Sequence, residues 1–434
     1  MVRIVITIGI VIIFLSGCSS MSAMAQPGLP GNTQDLFWCA AFDPISNTVY
    51  AIDYDMVLGD WEINLINNDA LPINWRPQQH GWAIDNEGRG YYAYTTTLGN
   101  IAIMANNTNN YQLDATWALA FQLTTYTPYL NFDLESRDDW IYGLTYNTVT
   151  TPNNLCSFRY DTANGIFGEL ILLNPIDPLT IFTMTLDDTL MGLIHYTYYI
   201  LDYEAPGWNY LYYDQVQPFG LNATLAPEIV TPGGISTPRD WCMILSDNDN
   251  YLWVFETDEA DMIYIYEYYK HFGFGTQWNY GSGPSRSSCW WKNAWAACHR
   301  PPDNTIHFVA ISFIDNGATG DYYLCYNRRT ANDWYLDAFI RPEFIIIDTW
   351  TLNSSDYGNQ LYRASPQITA SPSGIIIWNV EYDPGISGGD IHNYFLSPEL
   401  YNDGDNPLSW DETEDVDSTD LDFWYLDAKE YLGW

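Results

Sequence analysis

The sequence predicts an all-β chain, a single β-propeller of seven four-stranded blades, and three observations carry that prediction. Aromatic residues make up 17% of the 434 positions, with 35 Tyr and 19 Trp. Such a composition suits strands buried on a pleated surface better than helices, and no segment shows a convincing helical period. A short phrase is also written three times: "LFWCAAFDPISNTVYAID" (36–53), "DWCMILSDNDNYLWVFE" (240–256) and "NAWAACHRPPDNTIHFVAIS" (293–312). Trp38, Trp241 and Trp295 align, as do Asn47, Asn250 and Asn304, and the spacing from Trp to Asn is nine residues in all three. Looser copies of one plan, strand then polar turn then strand, begin near 82, 130, 182 and 366. Seven such hairpins at a period of 45 to 70 residues are the pattern of propeller blades. A pair of β-sandwiches is the structural rival.

The first element is an export signal. Arg3 precedes the apolar run "IVITIGIVIIFL" (4–15), which at 12 residues is too short for a comfortable membrane span. "LSGC" follows directly, and it resembles the lipobox of bacterial lipoproteins. That resemblance implies a signal peptide over 1–18, lipidation of Cys18 and an extracytoplasmic chain held at the cell envelope by its lipid. Cleavage after Ala23-Met24-Ala25 is the competing reading and would release a soluble exported protein. Residues 19–35 then form a short linker.

The blades follow over residues 36–410. Each inner hairpin is two strand-like runs around Asn, Asp, Gly or Ser, as in "GWAIDNEGRGYYAYT" (81–95) and "PQITASPSGIIIWNVEY" (366–382). The second half of each unit supplies an outer hairpin, as in "NLCSFRYDTANGIFGEL" (154–170). This blade pattern resembles the repeats of BNR-type, sialidase-like propellers. Its nearest match to their Asp-box is "SDNDNYLW", in which Ser246 and Trp253 are correctly spaced. Asn248 and Asn250 stand where that family has Asp and Gly, and the segment falls in the inner hairpin, so sialidase activity does not follow.

The last segment, 411–434, is acidic and then aromatic. Asp415 and Asp417 have the spacing of a calcium loop, but "DETEDVDSTDLD" lacks the required glycine and terminal glutamate and reads as a solvated acidic stretch. The aromatic "LDFWYLDAKEYLGW" (421–434) is suited to packing on the body or closing the ring. No cofactor is implied, and calcium is the one ion the acidic loops leave open.

Charge narrows function. Against 54 acidic residues there are 15 Lys+Arg, a net charge of −39, which repels nucleic acid and anionic surfaces. Only Lys270, Lys292 and Lys429 are lysines. In propellers the residues just before each inner strand form the usual ligand face. Those positions hold Arg76, Gln79 and His80, then Arg239 and Asp240, then Arg286, Trp290, Trp291 and Lys292, and finally Arg363. Guanidinium groups grip carboxylates and indoles stack on sugar rings, so His80, Arg239, Asp240, Arg286, Trp290, Trp291, Lys292 and Arg363 are the candidate site for an anionic glycan. Trp38, Trp241 and Trp295 belong to the repeat and read as packing.

Two further readings stay open. An enzyme acting on acidic polysaccharide would need a base, for which His80, His195, His299 and His307 are available, although His307 shares its repeat position with Tyr50 and Trp253 and reads as structural. A structural or partner-binding envelope protein is the third. No Cys-x-x-Cys, His-Glu-x-x-His or P-loop occurs. Beyond Cys18, the repeat keeps Cys39 from Cys242 and Cys156 from Cys325, leaving Cys289 with Cys298 as the one plausible disulfide.

Overall fold

The computed structural model describes strands and turns between residues 36 and 428. Residues 1–35, 429–434 and several links, among them 68–80, 107–116, 217–227, 231–241, 283–294, 331–344, 361–365 and 413–424, lie outside the described residues.

The strands form seven antiparallel sheets, each made in chain order. Sheet 1 holds β1 (Leu36–Asp43), β2 (Thr48–Asp55) and β3 (Asp60–Asn67). Sheet 2 holds β4 (Gly81–Ile84), β5 (Gly90–Thr95), β6 (Ile101–Asn106) and β7 (Trp117–Leu123). Sheet 3 holds β8 (Tyr129–Arg137), β9 (Trp140–Asn147), β10 (Asn153–Asp161) and an interrupted fourth strand, β11 (Ile166–Phe167) and β12 (Ile171–Ile176), both paired with β10. Sheet 4 holds β13 (Phe182–Leu186), β14 (Ile194–Leu201), β15 (Asn209–Val216) and β16 (Glu228–Ile229). Sheet 5 holds β17 (Cys242–Ser246), β18 (Tyr251–Thr257), β19 (Ile263–Tyr269) and β20 (Asn279–Ser282). Sheet 6 holds β21 (Trp295–Arg300), β22 (Thr305–Asp315), β23 (Thr319–Thr330) and β24 (Ile345–Asn353). Sheet 7 holds β25 (Gln367–Ser371), β26 (Gly374–Asp383), β27 (Gly388–Leu396) and β28 (Asp411–Glu412). The chain then returns: β29 (Tyr425–Ala428) pairs with β1 and becomes the first strand of sheet 1.

Each sheet packs face to face on the next. Sheet 1 meets sheet 2 through Phe42, Val49, Trp82 and Tyr92, and sheet 6 meets sheet 7 through Val309, Tyr326, Ile375 and Tyr394. Sheet 7 packs back on sheet 1 through Trp378, Val380, Cys39 and Ile52, so the succession is closed. Because both faces of a sheet are covered, middle strands read as continuous apolar runs: the first nine residues of β22 and of β26 are all buried. A large side chain such as Trp378, fully shielded from solvent, contributes roughly 1.5–3 kcal/mol by its burial. At Gly143 in β9 a Cβ would overlap the Phe158 ring, which explains a glycine in mid-strand.

The first strands touch one another from sheet 2 through sheet 7, and β25 of sheet 7 touches β29 of sheet 1. Their backbone edges are bridged by side chains: Asp133 Oδ2 in β8 accepts from the Met184 N–H in β13 at 2.8 Å, and the Ser136 hydroxyl donates to the Ile84 carbonyl in β4. A buried edge with unmet backbone groups would be costly, and these bonds answer that need. At the other edge, the pairings of the long outer strands β3, β7 and β24 each carry a register shift, a bulge that twists an open edge away from further pairing.

The return of β29 corrects the repeat alignment. Six hairpins join the first and second strands of their sheets, but the hairpin of Trp38 joins the second and third. Trp295 lies in a first strand and Trp38 in a second, so they are not equivalent. The same offset separates Cys39 from Cys242, and Tyr50 from Trp253 and His307. Cys156 and Cys325 do occupy third strands, in sheets 3 and 6, and burial pushes the Cys156 thiol up to about 12. Cys298 is buried in β21, while Cys289 lies outside the described residues.

Candidate functional site

Strand direction defines two ends for every sheet. First and third strands run from an upper face to a lower one, and second and fourth strands run back, so each link between sheets leaves and arrives at the upper face. This holds across the closure, because β28 ends and β29 begins at that same face. All the sequence-predicted site residues sit on these links: His80 before β4, Arg239 and Asp240 before β17, Arg286, Trp290, Trp291 and Lys292 before β21, and Arg363 before β25. Their own positions lie outside the described residues, as does that of Cys18.

The described part of the upper face is the set of turns between second and third strands. Asp43 accepts from the Ser46 hydroxyl at 2.6 Å, Asp315 from the Gly317 N–H at 2.7 Å, and Asp383 from the Gly385 N–H at 2.6 Å. Sheet 2 uses Thr96, whose hydroxyl accepts from the Asn100 N–H at 3.2 Å while Gly99 takes a φ of 81°. An aspartate closing its own turn is ordinary turn chemistry. It gives these aspartates a structural use, and it places carboxylates on the described turns of this face. Lower-face turns use the same device, with Asp85 holding Arg89 at 2.9 Å and Asp161 holding the Asn164 N–H at 2.9 Å.

One link is fixed on both sides of its predicted cation. After β24 the chain turns inward, with the Asn359 and Gln360 N–H groups both donating to the Asp356 carbonyl. Tyr357 stands edge-on to Phe313 at 5.1 Å, and its hydroxyl lies 3.5 Å from Asp315 Oδ1. Gln360 is fully buried; its Nε2 donates to the Val380 carbonyl at 3.0 Å and its Oε1 accepts from the Tyr382 N–H at 2.7 Å. The reason is geometric. β25 begins only at Gln367, opposite Trp378, so β26 runs on beyond its inner partner. The Gln360 amide takes the place of the missing peptide group. Arg363 follows three residues later, between this anchor and the buried Gln367.

The histidines divide. His195 and His307 lie in second strands, buried, each with Nδ1 2.7 Å from a tyrosine hydroxyl of the adjoining third strand, Tyr213 and Tyr326. The two pairs are equivalent and serve the repeat. Burial, with Arg300, Arg328 and His299 adding to it, holds the His307 imidazole well below its ordinary value, so it is neutral. His299 bonds Asn304 Oδ1 at 2.7 Å at a lower-face turn. His195 and His299 do not have the place of a base at the upper face, which corrects their candidacy, and the burial of His307 fits its structural reading. Trp82 and Trp295 are core residues; Trp295 stacks on Phe308 at 5.6 Å. Trp241 lies outside the described residues.

Sequence reading missed His392. In sheet 7 its Nε2 lies 3.9 Å from Glu381 Oε2 and its Nδ1 3.9 Å from Glu412 Oε1, while Asn379 Nδ2 donates to Glu381 Oε1 at 3.0 Å. Asn379 and Glu381 alternate with the apolar Trp378 and Val380 along β26, and that alternation was the available signal. An imidazole between two carboxylates can take up and pass a proton. Beside it the Tyr394 hydroxyl donates to Asp348 Oδ2 at 2.5 Å, tying sheet 7 to sheet 6, and burial and Glu381 push that phenol upward.

Among the described residues no group of three or more His, Cys, Asp or Glu is arranged to hold a metal ion, and Asp415 and Asp417 fall outside them. No helix among them is long and apolar enough to cross a membrane.

No protein-family model matches the sequence, and no curated protein does. Solved structures resemble the chain in outline. A lectin of Aleuria aurantia in complex with Fucα1-6GlcNAc has a TM-score of 0.42 and 10% identity over 78% of this chain and 96% of that one. A polysaccharide lyase described as an ulvan lyase has a TM-score of 0.49 and 10% identity over 84% and 90%. A puromycin-hydrolyzing peptidase of Mycobacterium tuberculosis has a TM-score of 0.49 and 9% identity over 88% and 52%. With identities near 10% and TM-scores below 0.5, these likenesses carry no argument about what this chain binds or does.

Proposed function

We propose that this chain is an exported, lipid-anchored β-propeller of seven blades that binds an anionic glycan on its upper face, at the mouth of a central channel. The observation that supports the reading is topological: every predicted cation, Arg76, Arg239, Arg286, Lys292 and Arg363, belongs to a link that begins and ends at one face. In a chain of net charge −39, with carboxylates already on the described turns of that face, those cations offer a local site for carboxylate or sulfate. The same charge excludes nucleic acid as a partner. The membrane is engaged through the lipid on Cys18.

Titration of uronate and neutral oligosaccharides tests the reading. A charge-assisted contact contributes about 1.5–3 kcal/mol, so Arg239→Ala, Arg286→Ala, Lys292→Ala or Arg363→Ala weakens binding of the acidic sugar roughly tenfold or more. Arg328→Ala, in the third strand of sheet 6, is the control and leaves it unchanged. Equal affinity for acidic and neutral sugars would refute the reading.

The His392 cluster favours a second reading, an enzyme acting on acidic polysaccharide. His392 flanked by Glu381 and Glu412, or His80 on the link into β4, would supply the base. Release of unsaturated product from a uronate polymer, followed by ultraviolet absorbance and abolished by His392→Ala or His80→Ala, is the result it requires. A protein-binding envelope role is left if neither sugar binding nor product release is found.

A further inference from the structure

We propose that the anchored chain turns its lower face to the bilayer and its upper face outward. This rests on the lipid-anchor reading and adds to it the side of the molecule on which the membrane lies.

The argument comes from the closure of sheet 1. β29 is the first strand of that sheet and runs from the upper face to the lower; β1 pairs with it antiparallel, with Cys39 opposite Ala428 and Phe42 opposite Tyr425. β1 therefore begins at the lower face. Leu36 is the first residue of β1, and 17 residues lie between it and Cys18. Had the chain closed in the other manner, with β1 as a first strand, the same linker would leave from the upper face, beside the candidate site. The offset that spoiled the repeat alignment is what moves the anchor to the opposite end.

Lengths decide whether that origin matters. A strand of eight residues such as β1 rises about 26 Å, which sets the distance between the two faces. A flexible chain of 17 residues would have a root-mean-square span of roughly 23 Å. The linker's typical span is thus about the height of the sheet; fully extended it would reach roughly 56 Å, so the upper face could meet the bilayer only with the linker drawn out past that typical span and up the side of the molecule. The lower face meets the membrane without that cost. Among its described turns, Asp138, Asp139 and Asp303 present exposed polar side chains that suit a surface held near headgroups. With the upper face outward, the links that carry His80, Arg239, Arg286, Lys292 and Arg363 meet polymers that never approach the bilayer.

Energy transfer on vesicles tests this. The full-length lipidated chain is placed on phosphatidylcholine vesicles that carry an acceptor dye. A donor is attached through Leu98→Cys at the upper face or Asp139→Cys at the lower, both exposed, with the parent chain treated alike as background. Transfer from position 139 exceeds that from position 98 by at least about twofold for the roughly 26 Å between the faces. Equal transfer, or more from position 98, overturns the proposal while leaving the anchor reading intact. Cys18→Ala abolishes transfer from both positions. Vesicle binding that survives Cys18→Ala, or a parent chain that never binds, refutes the anchor itself and the orientation with it.

Discussion

Gln360 offers the sharpest test of how the fold holds its candidate site. Its amide bridges the Val380 carbonyl and the Tyr382 N–H at 3.0 Å and 2.7 Å, at a point where β26 has outrun β25. Substitution by alanine strands one backbone donor and one acceptor in a place with no solvent access. Each orphaned group costs about 1–3 kcal/mol, so the loss is roughly 2–6 kcal/mol before any cavity is counted. Gln360→Met separates the two effects, since it keeps the volume and strands the same two groups. Both variants are compared with the parent by urea unfolding, following tryptophan fluorescence. A destabilisation of roughly 2 kcal/mol or more is expected for Gln360→Met, with Gln360→Ala lower still. On the proposal that Arg363 grips an acidic glycan, Gln360→Met should also weaken binding of an acidic oligosaccharide, and adding it to Arg363→Ala should weaken binding no further. A cost below about 0.5 kcal/mol for Gln360→Met would show that the amide does not substitute for a strand, and the reasoning would fail.

Two other perturbations follow from the same structure. Leu426→Pro places a proline in the strand opposite Ala41 and should lower the urea midpoint markedly, whereas Glu412→Pro in the two-residue β28 should cost little; equal effects would deny that β29 completes sheet 1. His307 is held neutral by burial, so its folded pKa lies below the unfolded one; the unfolded chain binds the extra proton, and stability falls as pH drops below about 6.5, by up to 1.36 kcal/mol per unit. His307→Phe should be less stable at pH 7.5, where Tyr326 loses its partner, yet decline less steeply from pH 6.5 to 5, and an unchanged slope would refute the assignment.

The sheets were legible because each sheet repeats one physical problem. A sheet covered on both faces needs long apolar strands, and a short turn between them needs Asp, Asn or Gly. "TIHFVAISFID" and "GIIIWNVEYD" show that pattern without any structure. The place of the first hairpin was not legible. "LFWCAAFD" satisfies the rules of a first and of a second strand equally, since both are buried on both sides, and the strand that decides between them, "YLDA", begins 382 residues after β1 ends (425 − 43). Local pattern cannot report which distant segment completes a sheet.

The candidate site divides along the same line. That the cations precede first strands could be read from spacing, and strand direction then gathers their links at one face. Residues whose role is set by a partner far along the chain stayed hidden. Gln360 in "SSDYGNQLY" is one polar residue in a polar segment, and nothing local says that its amide stands in for a peptide group of β25. His392 in "GGDIHNYFL" alternates as any third-strand residue would, and its neighbours Glu381 and Glu412 come from strands on either side. His195 reads in sequence as a candidate base and is not one, whereas His307 reads as structural and is buried beside Tyr326. A histidine is a reasonable base wherever it is met in sequence, but one strand over stood Tyr213 or Tyr326 with a hydroxyl to offer, and burial removed the charge. In a fold made of repeats, a polar residue that recurs with its partner at the same place in two sheets serves the repeat. One that breaks the repeat, as Gln360 and the His392 cluster do, is the better place to look for function.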